Sequence, residues 1–595
     1  MFAIRKKSAR PIQWDGRRRS SPDDEPVLTR LSRPDAAVRL AAVLATALAA
    51  TFLAYNWGQP QTYRVGEKCM HELRARVYFE MVNQAQTERR RDEAVEKLPA
   101  DIRGNPAAYD AARRECPPVV DRYPVGTLLV QRGQPITEQQ YALLQEESRT
   151  FLNSRSPWDH LRRGAALFLV LTLLATIVVI YSVRFQPGLA LSLPKVSGVC
   201  ALVLFTLLLA LVLSRPPWHA ALLPLTFTAL IFTIAYNPQF ALLMSLSLTL
   251  AMVVTSSIRF GELLVAMGGQ ATAILMLKNV RTRTRLVEVG ALAGLASLAM
   301  AVASGLYSDQ TWKLLAFDAF RGLCCATLAG FVVTGLLPVV ERIFGIITDV
   351  RLLELGDGSH PLLQELVQRA PGTYTHSMTV ATLAEPAAEA IGANPLLARV
   401  GSYFHDIGKM LKPHYFIENQ TGENRHDSLE PALSTLIIIG HVKDGVALAE
   451  QYRLPRPIVE IIQQHHGTTL VEYFYREAVR MQESLGNTPQ VCDGQPHPLE
   501  ATFRYPGPKP LSREAGIVML ADAVESSSRA MSGPTPGGLR KLVRDLLMKR
   551  LLDGQFDESG LTLTELHRVE ESLVKGLTAL YHSRIKYPEP ERKAS

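Results

Sequence analysis

Cysteine is scarce, with six in 595 residues, and none of it has the spacing of a zinc finger. Cys200, Cys324 and Cys325 fall in apolar runs, and Cys492 stands alone in a polar half of the chain. Cys69 and Cys116 share one polar segment. A disulfide and two free thiols both fit there, because sequence does not give the Cα separation that a bridge requires. Charge is missing from the middle of every long apolar run. That argues against an ion pump or a proton-coupled transporter, which place ionisable groups at mid-membrane. A formal net charge of +8 names no nucleic-acid partner, because many of the basic residues flank apolar runs, where orientation on a bilayer accounts for them.

The length exceeds what one core supports, and the averages of 47% apolar and 20% charged residues conceal two solvents. Apolar runs recur from about Ala36 to Val340, whereas residues 341–595 mix charge, His and Pro. Residues 1–35 have no apolar period and read as a disordered tail. Residues 36–55 read as an uncleaved anchor, whose rival is a signal peptide ending near Ala47-Leu48-Ala49. Residues 56–160 read as a small extracytoplasmic domain, with helical patterns around Glu80 to Leu98 and Thr137 to Leu152. Seven further spans fall within 161–340, at about 164–183, 196–214, 219–236, 239–258, 260–277, 286–307 and 320–340, each near the roughly 20 residues that cross a bilayer. Residues 341–372 read as a linker and 373–595 as a polar helical domain.

Eight crossings return the C-terminal half to the side of the N-terminal tail. The basic loops Arg184 to Lys195 and Lys278 to Arg285, with Arg342, place that side in the cytoplasm. The expected protein is a multi-pass protein of the cytoplasmic membrane. Its expected fold is all-α, with a polytopic region, a cytoplasmic helical domain and a small outer domain. Glu262 and Asp318, at span ends, read as solvated carboxylates.

Seven of the 14 histidines lie in the 91 residues from His376 to His466. The segments are Thr375-His376-Ser377, Phe404-His405-Asp406-Ile407-Gly408-Lys409, Gly440-His441-Val442 and Gln464-His465-His466-Gly467, followed by Asp522 in Leu520-Ala521-Asp522-Ala523. Asn394-Pro395 is an N-cap with Pro at the first helical position, opening the run that ends in His405-Asp406. Pro457 opens the run that ends in His465-His466, and Gly467 fits the position after its end. Ligands near helix ends are presented to a shared cleft. Imidazoles and a carboxylate suit Fe, Mn, Zn or Ni, and one Asp can bridge two ions, Asp406 being the natural bridge.

The order His376, His405-Asp406, His441, His465-His466, Asp522 resembles the HD phosphohydrolase superfamily. Together with Tyr415-Phe416-Ile417-Glu418-Asn419-Gln420, His441 to Gly445 and Phe503 to Pro510, the chain resembles the seven-transmembrane HD family of cyclic di-AMP phosphodiesterases. Three positions depart from that pattern: Thr375 in place of a second His, Pro386 inside a helix, and Arg425 where Pro is expected. The resemblance implies two divalent ions, Fe or Mn. One would be held by His376, His405, Asp406 and Asp522, the other by Asp406, His441, His465 and His466. It also implies a bridging metal hydroxide as nucleophile, opening cyclic di-AMP to pApA. Lys409, three residues after Asp406, is a candidate to neutralise a phosphate oxygen. Tyr415, Phe416, Asn419, Tyr505 and Lys509 are candidates for base stacking and phosphate contact. His414 and His426 are candidates to orient ligands, and His360 and His497 read as surface residues. The implied partners are a cyclic dinucleotide and the lipid bilayer, with a homodimer as a further expectation and no nucleic-acid polymer. The alternative is a receptor that holds a nucleotide without cleaving it.

Overall fold

The computed structural model describes residues 34–58, 63–98, 106–256, 260–278, 280–484 and 499–582. Residues 1–33, with Cys492 and His497, lie outside them. The chain divides into two compact units, one through Lys278 and from Arg283 to Phe344, the other from Gly345 onward with Asn279–Thr282.

In the first unit a helix stands over every expected apolar run: α1 (Pro34–Trp57), α5 (Pro157–Phe185), α6 (Leu193–Leu213), α7 (Leu222–Ala235), α8 (Pro238–Ser256), α9 (Phe260–Met276), α10 (Arg283–Tyr307) and α11 (Trp312–Phe344). Six of these are long and apolar enough to cross a membrane, by length and composition, whereas α7 and α9 are shorter. At 1.5 Å per residue the 14 residues of α7 rise only about 21 Å. It compensates by position, since every residue from Pro224 to Thr233 is buried among its neighbours. The helix α16 (Pro431–Gln451) of the second unit meets the same length and composition test, so apolarity alone does not separate a span from a core helix.

Small residues set the closest crossing. A Cβ on Gly290 would lie 2.9 Å from the Cα of Gly330, and one on Gly330 would lie 2.7 Å from the Leu286 carbonyl. Helices without a hydrophobic drive between them gain most from such backbone approach. Up-and-down connection gathers the loops at two ends. At one, Arg39 donates to the Leu191 carbonyl (2.7 Å) and Tyr236 packs edge-on against Phe344. At the other, Arg64 pairs with Glu262 and with Asp318 (2.8 Å), and Lys68 pairs with Asp309. Glu262 and Asp318 are therefore ion-paired groups rather than free solvated carboxylates.

Between α1 and α5 lies a small domain with short helices α2 (Gln84–Glu96), α3 (Pro106–Glu115) and α4 (Glu138–Asn153). It also holds two antiparallel pairs, β1 (Leu73–Arg74) with β4 (Leu128–Val130) and β2 (Phe79–Val82) with β3 (Val120–Tyr123). The expected helix from Glu80 starts instead at Gln84, after the strand. Thr137 caps α4 through a capping box with Gln140. Cys69 is buried, Cys116 half-buried, and both are free thiols.

The second unit is helical. Residues expected as a linker form α12 (Asp349–Leu355) and α13 (Pro361–Arg369), whose Leu352, Leu355, Leu362, Leu363 and Leu366 share a core with Phe404 and Ile407. Each of these leucines is at most 2% exposed, worth about 1.5–3 kcal/mol of burial apiece. His360 is not a surface residue either: it is half-buried, caps α13 through Nδ1 and packs edge-on against Phe404. The remaining helices are α14 (Pro371–Ala390), α15 (Pro395–Phe404), α16, α17 (Arg456–Gln464), α18 (Glu472–Ser484), α19 (Arg513–Arg529), α20 (Pro536–Leu552) and α21 (Leu563–His582). Pro386 sits inside α14 without dividing it.

Gly330→Leu should cost at least about 2 kcal/mol by forcing α10 from α11. Gly335→Leu, where an added Cβ meets nothing within 4 Å, should be silent in the same thermal unfolding scan of detergent-solubilised protein. In the small domain, burial pushes the Glu147 carboxyl up, but hydrogen bonds from the Arg76 side chain and backbone outweigh it and hold it below its ordinary value. A depressed folded-state pKa gives stability that is present above the ordinary value and lost as pH falls through the folded one. Protection of this domain from limited proteolysis should therefore weaken on acidification, and less so in Glu147→Gln.

Candidate metal centre

The seven His and Asp side chains expected to act together come from five helix-based segments, and the structure brings them into one buried cluster. Helix α15 ends at Phe404, and a 3-10 turn over Ile407–Leu411 redirects the chain, leaving His405 and Asp406 at the bend. Gly408 makes this bend possible: a Cβ there would lie 1.9 Å from the His441 carbonyl. That contact seats the turn on α16, which carries His441. Asn394 caps α15 by accepting from the Leu397 N–H at 3.0 Å. After α17, Gly467 takes a left-handed φ of +53° and closes the helix behind His465 and His466.

Asp406 is 1% exposed and its two oxygens face opposite ways. Oδ2 lies 3.2 Å from His405 Nε2 and 3.5 Å from His376 Nε2, while Oδ1 lies 3.3 Å from His441 Nε2 and 3.6 Å from His465 Nε2. Asp522 closes the cluster from α19, with Oδ1 3.0 Å from His376 Nε2 and Oδ2 3.7 Å from His466 Nδ1. Two overlapping sets result, His376-His405-Asp406-Asp522 and Asp406-His441-His465-His466. Within each, one potential ligand atom per residue lies within 4.8 Å of the others.

The imidazoles are preset. Nδ1 of His405, His441 and His465 donates to the carbonyls of Ser402, Ile438 and Ile462 at 2.7, 2.5 and 2.8 Å. Each acceptor is three residues earlier on the ligand's own helix or helix end. A carbonyl only accepts, so each ring has a proton on Nδ1 and turns Nε2 inward, as a lone pair wherever the ring is neutral. His376 is held differently, with Nδ1 2.6 Å from Glu525 Oε2. Glu525 lies one turn after Asp522 on α19, a spacing legible in the sequence, and was not among the expected residues.

Electrostatics and satisfaction both favour a cation. His405 Nε2 and Asp406 Oδ1 are buried with no hydrogen-bond partner, which is costly unless something else binds them, and Asp406 Oδ2 is met by the Lys409 ammonium at 2.6 Å. Burial disfavours charge on His405, yet Asp406 and Asp522 push it up to about 10. Burial likewise pushes the Asp406 carboxyl up, but Lys409 and His405 hold it well below the usual carboxylate range. His441, facing the same carboxylate from the other side, is lowered by burial to about 3. The carboxylates thus demand positive charge, which a second proton on His405 supplies in the absence of a cation, and a divalent ion that displaces that proton satisfies the demand with ligands of the right chemical type.

Lys409 reaches the same centre: its Nζ is 2.6 Å from Asp406 Oδ2, 3.0 Å from Glu418 Oε1 and 5.2 Å from the Phe416 ring centroid. Burial lowers Lys409, but Asp406 and Glu418 raise it, so it stays charged. Phe416 is buried edge-on to His441, and Tyr505 lies 4.3 Å from His466, centroid to centroid. Tyr415 packs against His426, which donates from Nε2 to the Tyr415 carbonyl. Asn419 faces elsewhere: its Oδ1 accepts from the Gly372 and Thr373 N–H groups at the start of α14. Lys509 pairs with Asp557 at 3.3 Å, and His414 is exposed. Thr375 is exposed on α14, and Arg425 lies over the Tyr415 ring.

A family model described as 7TM receptor with intracellular HD hydrolase matches residues 162–348, and one described as HD domain matches 373–527. The cyclic-di-AMP phosphodiesterase PgpH of Listeria monocytogenes serotype 1/2a (strain 10403S) is 34% identical over 494 residues, covering 81% of this chain and 66% of that protein. PgpH of Bacillus subtilis (strain 168) is 41% identical over 327 residues, covering 54% of this chain and 44% of that protein. A crystal structure of the L. monocytogenes PgpH HD domain in complex with cyclic-di-AMP is 43% identical. It covers 38% of this chain and 100% of that one, with a TM-score of 0.35. The chain spans just under two thirds of the first relative and less than half of the second.

Metal content tests the cluster directly. In full-length protein equilibrated with Mn²⁺, His376→Ala and His441→Ala should each lower bound metal per chain, and Asp406→Asn should lower it more than either. Glu525→Gln, which leaves every ligand in place, should weaken metal affinity about 10-fold by loosening His376. Mass spectrometry of bound metal checks all four, and unchanged content throughout would detach the cluster from metal binding.

Proposed function

The chain belongs to the family of seven-transmembrane proteins with an intracellular HD hydrolase domain, and on that premise we propose that it is a membrane-anchored phosphodiesterase that opens cyclic di-AMP to linear pApA. The observation that carries this reading is Asp406, buried between two sets of inward-facing nitrogen donors. The names of the L. monocytogenes and B. subtilis relatives support the nucleotide.

His376, His405, Asp406 and Asp522 would hold one ion and Asp406, His441, His465 and His466 a second, with Fe or Mn suited to imidazole and carboxylate. When bound, a pair of divalent ions acidifies a water for in-line attack on phosphorus and stabilises the charge on the departing oxygen. The new bond joins the water oxygen to phosphorus, and the bond that breaks is the one to a 3′-oxygen, which takes up a proton. Asp406 fixes the spacing of the two sets because one rigid carboxylate serves both. The carbonyl-anchored rings keep their lone pairs aimed inward through the reaction. Lys409, ion-paired with Asp406 and Glu418, adds a fixed positive charge beside the phosphate as negative charge builds there. Phe416 and Tyr505 present aromatic surface next to His441 and His466, where a purine can stack.

The basic loops Arg184 to Lys195 and Lys278 to Arg285 support placing this domain and the N-terminus in the cytoplasm. The domain between α1 and α5 then lies on the outer face, and α1 is retained as an anchor.

Full-length protein in lipid nanodiscs with Mn²⁺ should convert cyclic di-AMP to pApA, resolved by chromatography. Asp406→Asn should abolish turnover, and Lys409→Met should lower kcat about 100-fold while the bound metal is retained. Saturable nucleotide binding with no product at any metal tested would instead make the protein a receptor.

A further inference from the structure

A second polar centre lies at the end of the bundle that carries the small domain, remote in sequence from the histidine cluster. There α8, α9, α10 and α11 and the segment around Arg64 enclose a cavity of about 760 Å³, within the roughly 300–1,000 Å³ of small-molecule pockets. We infer that this cavity binds an amphiphile with a single oxyanion head, seated on the Arg321 guanidinium.

The two guanidiniums in the wall are not equally spent. Arg64 gives Nη1 to Asp318 (2.8 Å) and Nη2 to Glu262. Arg321, one turn after Asp318 on α11, gives Nη2 to the same Asp318 oxygen at 2.8 Å, but its Nη1 is buried and has no hydrogen-bond partner. Leaving a buried ionised donor without a protein acceptor is among the more costly arrangements in a folded chain, so this N–H group calls for an acceptor. The hydroxyl of Ser256, at the end of α8, lines the same cavity and is also buried without a partner.

The remainder of the wall selects what carries that acceptor. Leu225, Leu264, Val265 and Met300 contribute apolar surface suited to an aliphatic body. Arg64, Lys68 and Arg321 are balanced by Glu67, Glu262 and Asp318, so the described lining has no excess of basic residues to draw a polyanion. One oxyanion on an apolar body fits both halves of the wall. A soluble carboxylate and an anionic phospholipid share that chemistry.

Full-length protein in phosphatidylcholine nanodiscs, titrated with octanoate, distinguishes these sources. A free ligand predicts saturable binding by calorimetry with a rise in Tm. Arg321→Met should weaken it by at least about 10-fold, as expected for loss of a charge-assisted hydrogen bond. Ala303→Phe, which fills the lined space and leaves every charge in place, should weaken it too, and keeps the test valid if the Arg321 variant fails to fold. A lipid ligand predicts no octanoate effect but a Tm rise when phosphatidylglycerol replaces part of the phosphatidylcholine, again lost in both variants. No shift with either probe, or shifts that both variants retain, would overturn the inference.

Discussion

One buried carboxylate organises the second unit. Asp406 has its two oxygens turned to different sets of imidazoles, so side chains from helices far apart in sequence converge on it. Burying such a charge is costly unless positive charge and fixed donors surround it. The bend at Gly408, the caps on α15 and α17 and the carbonyl-anchored rings all serve that condition. The domain is thus built around an electrostatic demand, with hydrophobic packing holding the demanding groups in place.

The first unit obeys a different solvent. Its helices gain little from burying leucine against leucine, and they meet instead through glycine approach and a few polar contacts, such as the hydroxyls of Thr206 and Thr228 at 2.5 Å. A dense group of its charges sits at a bundle end, where Arg64 from the adjoining segment locks onto two different helices. The same chain therefore uses paired charge in both units: in one to collect nitrogen donors, in the other to tie a small domain to its supporting helices.

Much of this architecture is legible in the sequence for physical reasons. Spans declare themselves by length and apolarity, and histidines with aspartates at helix ends stand out because those residue types are rare in a core without cause. Asn394 and Gly467 marked the helix ends because their local chemistry acts within a few residues. Contacts between distant segments were not legible. Glu525 meets His376 across 149 positions, and Glu418 reaches Lys409 only because a 3-10 turn folds back. Asn419 looked available for a ligand but is committed to the start of α14. The strands of the small domain are two to four residues long, too short for alternation to show. The leucines of α12 and α13 gave an apolar pattern, but nothing in it said which core they would enter.

Those leucines alter what counts as a separable module. A boundary drawn at residue 373 by sequence similarity would cut away α12 and α13 and strip the floor beneath Phe404 and Ile407, leaving a greasy scar directly under the bend that presents Asp406. The stretch that follows the last long apolar helix is thus a foundation stone of the hydrolase fold rather than a tether.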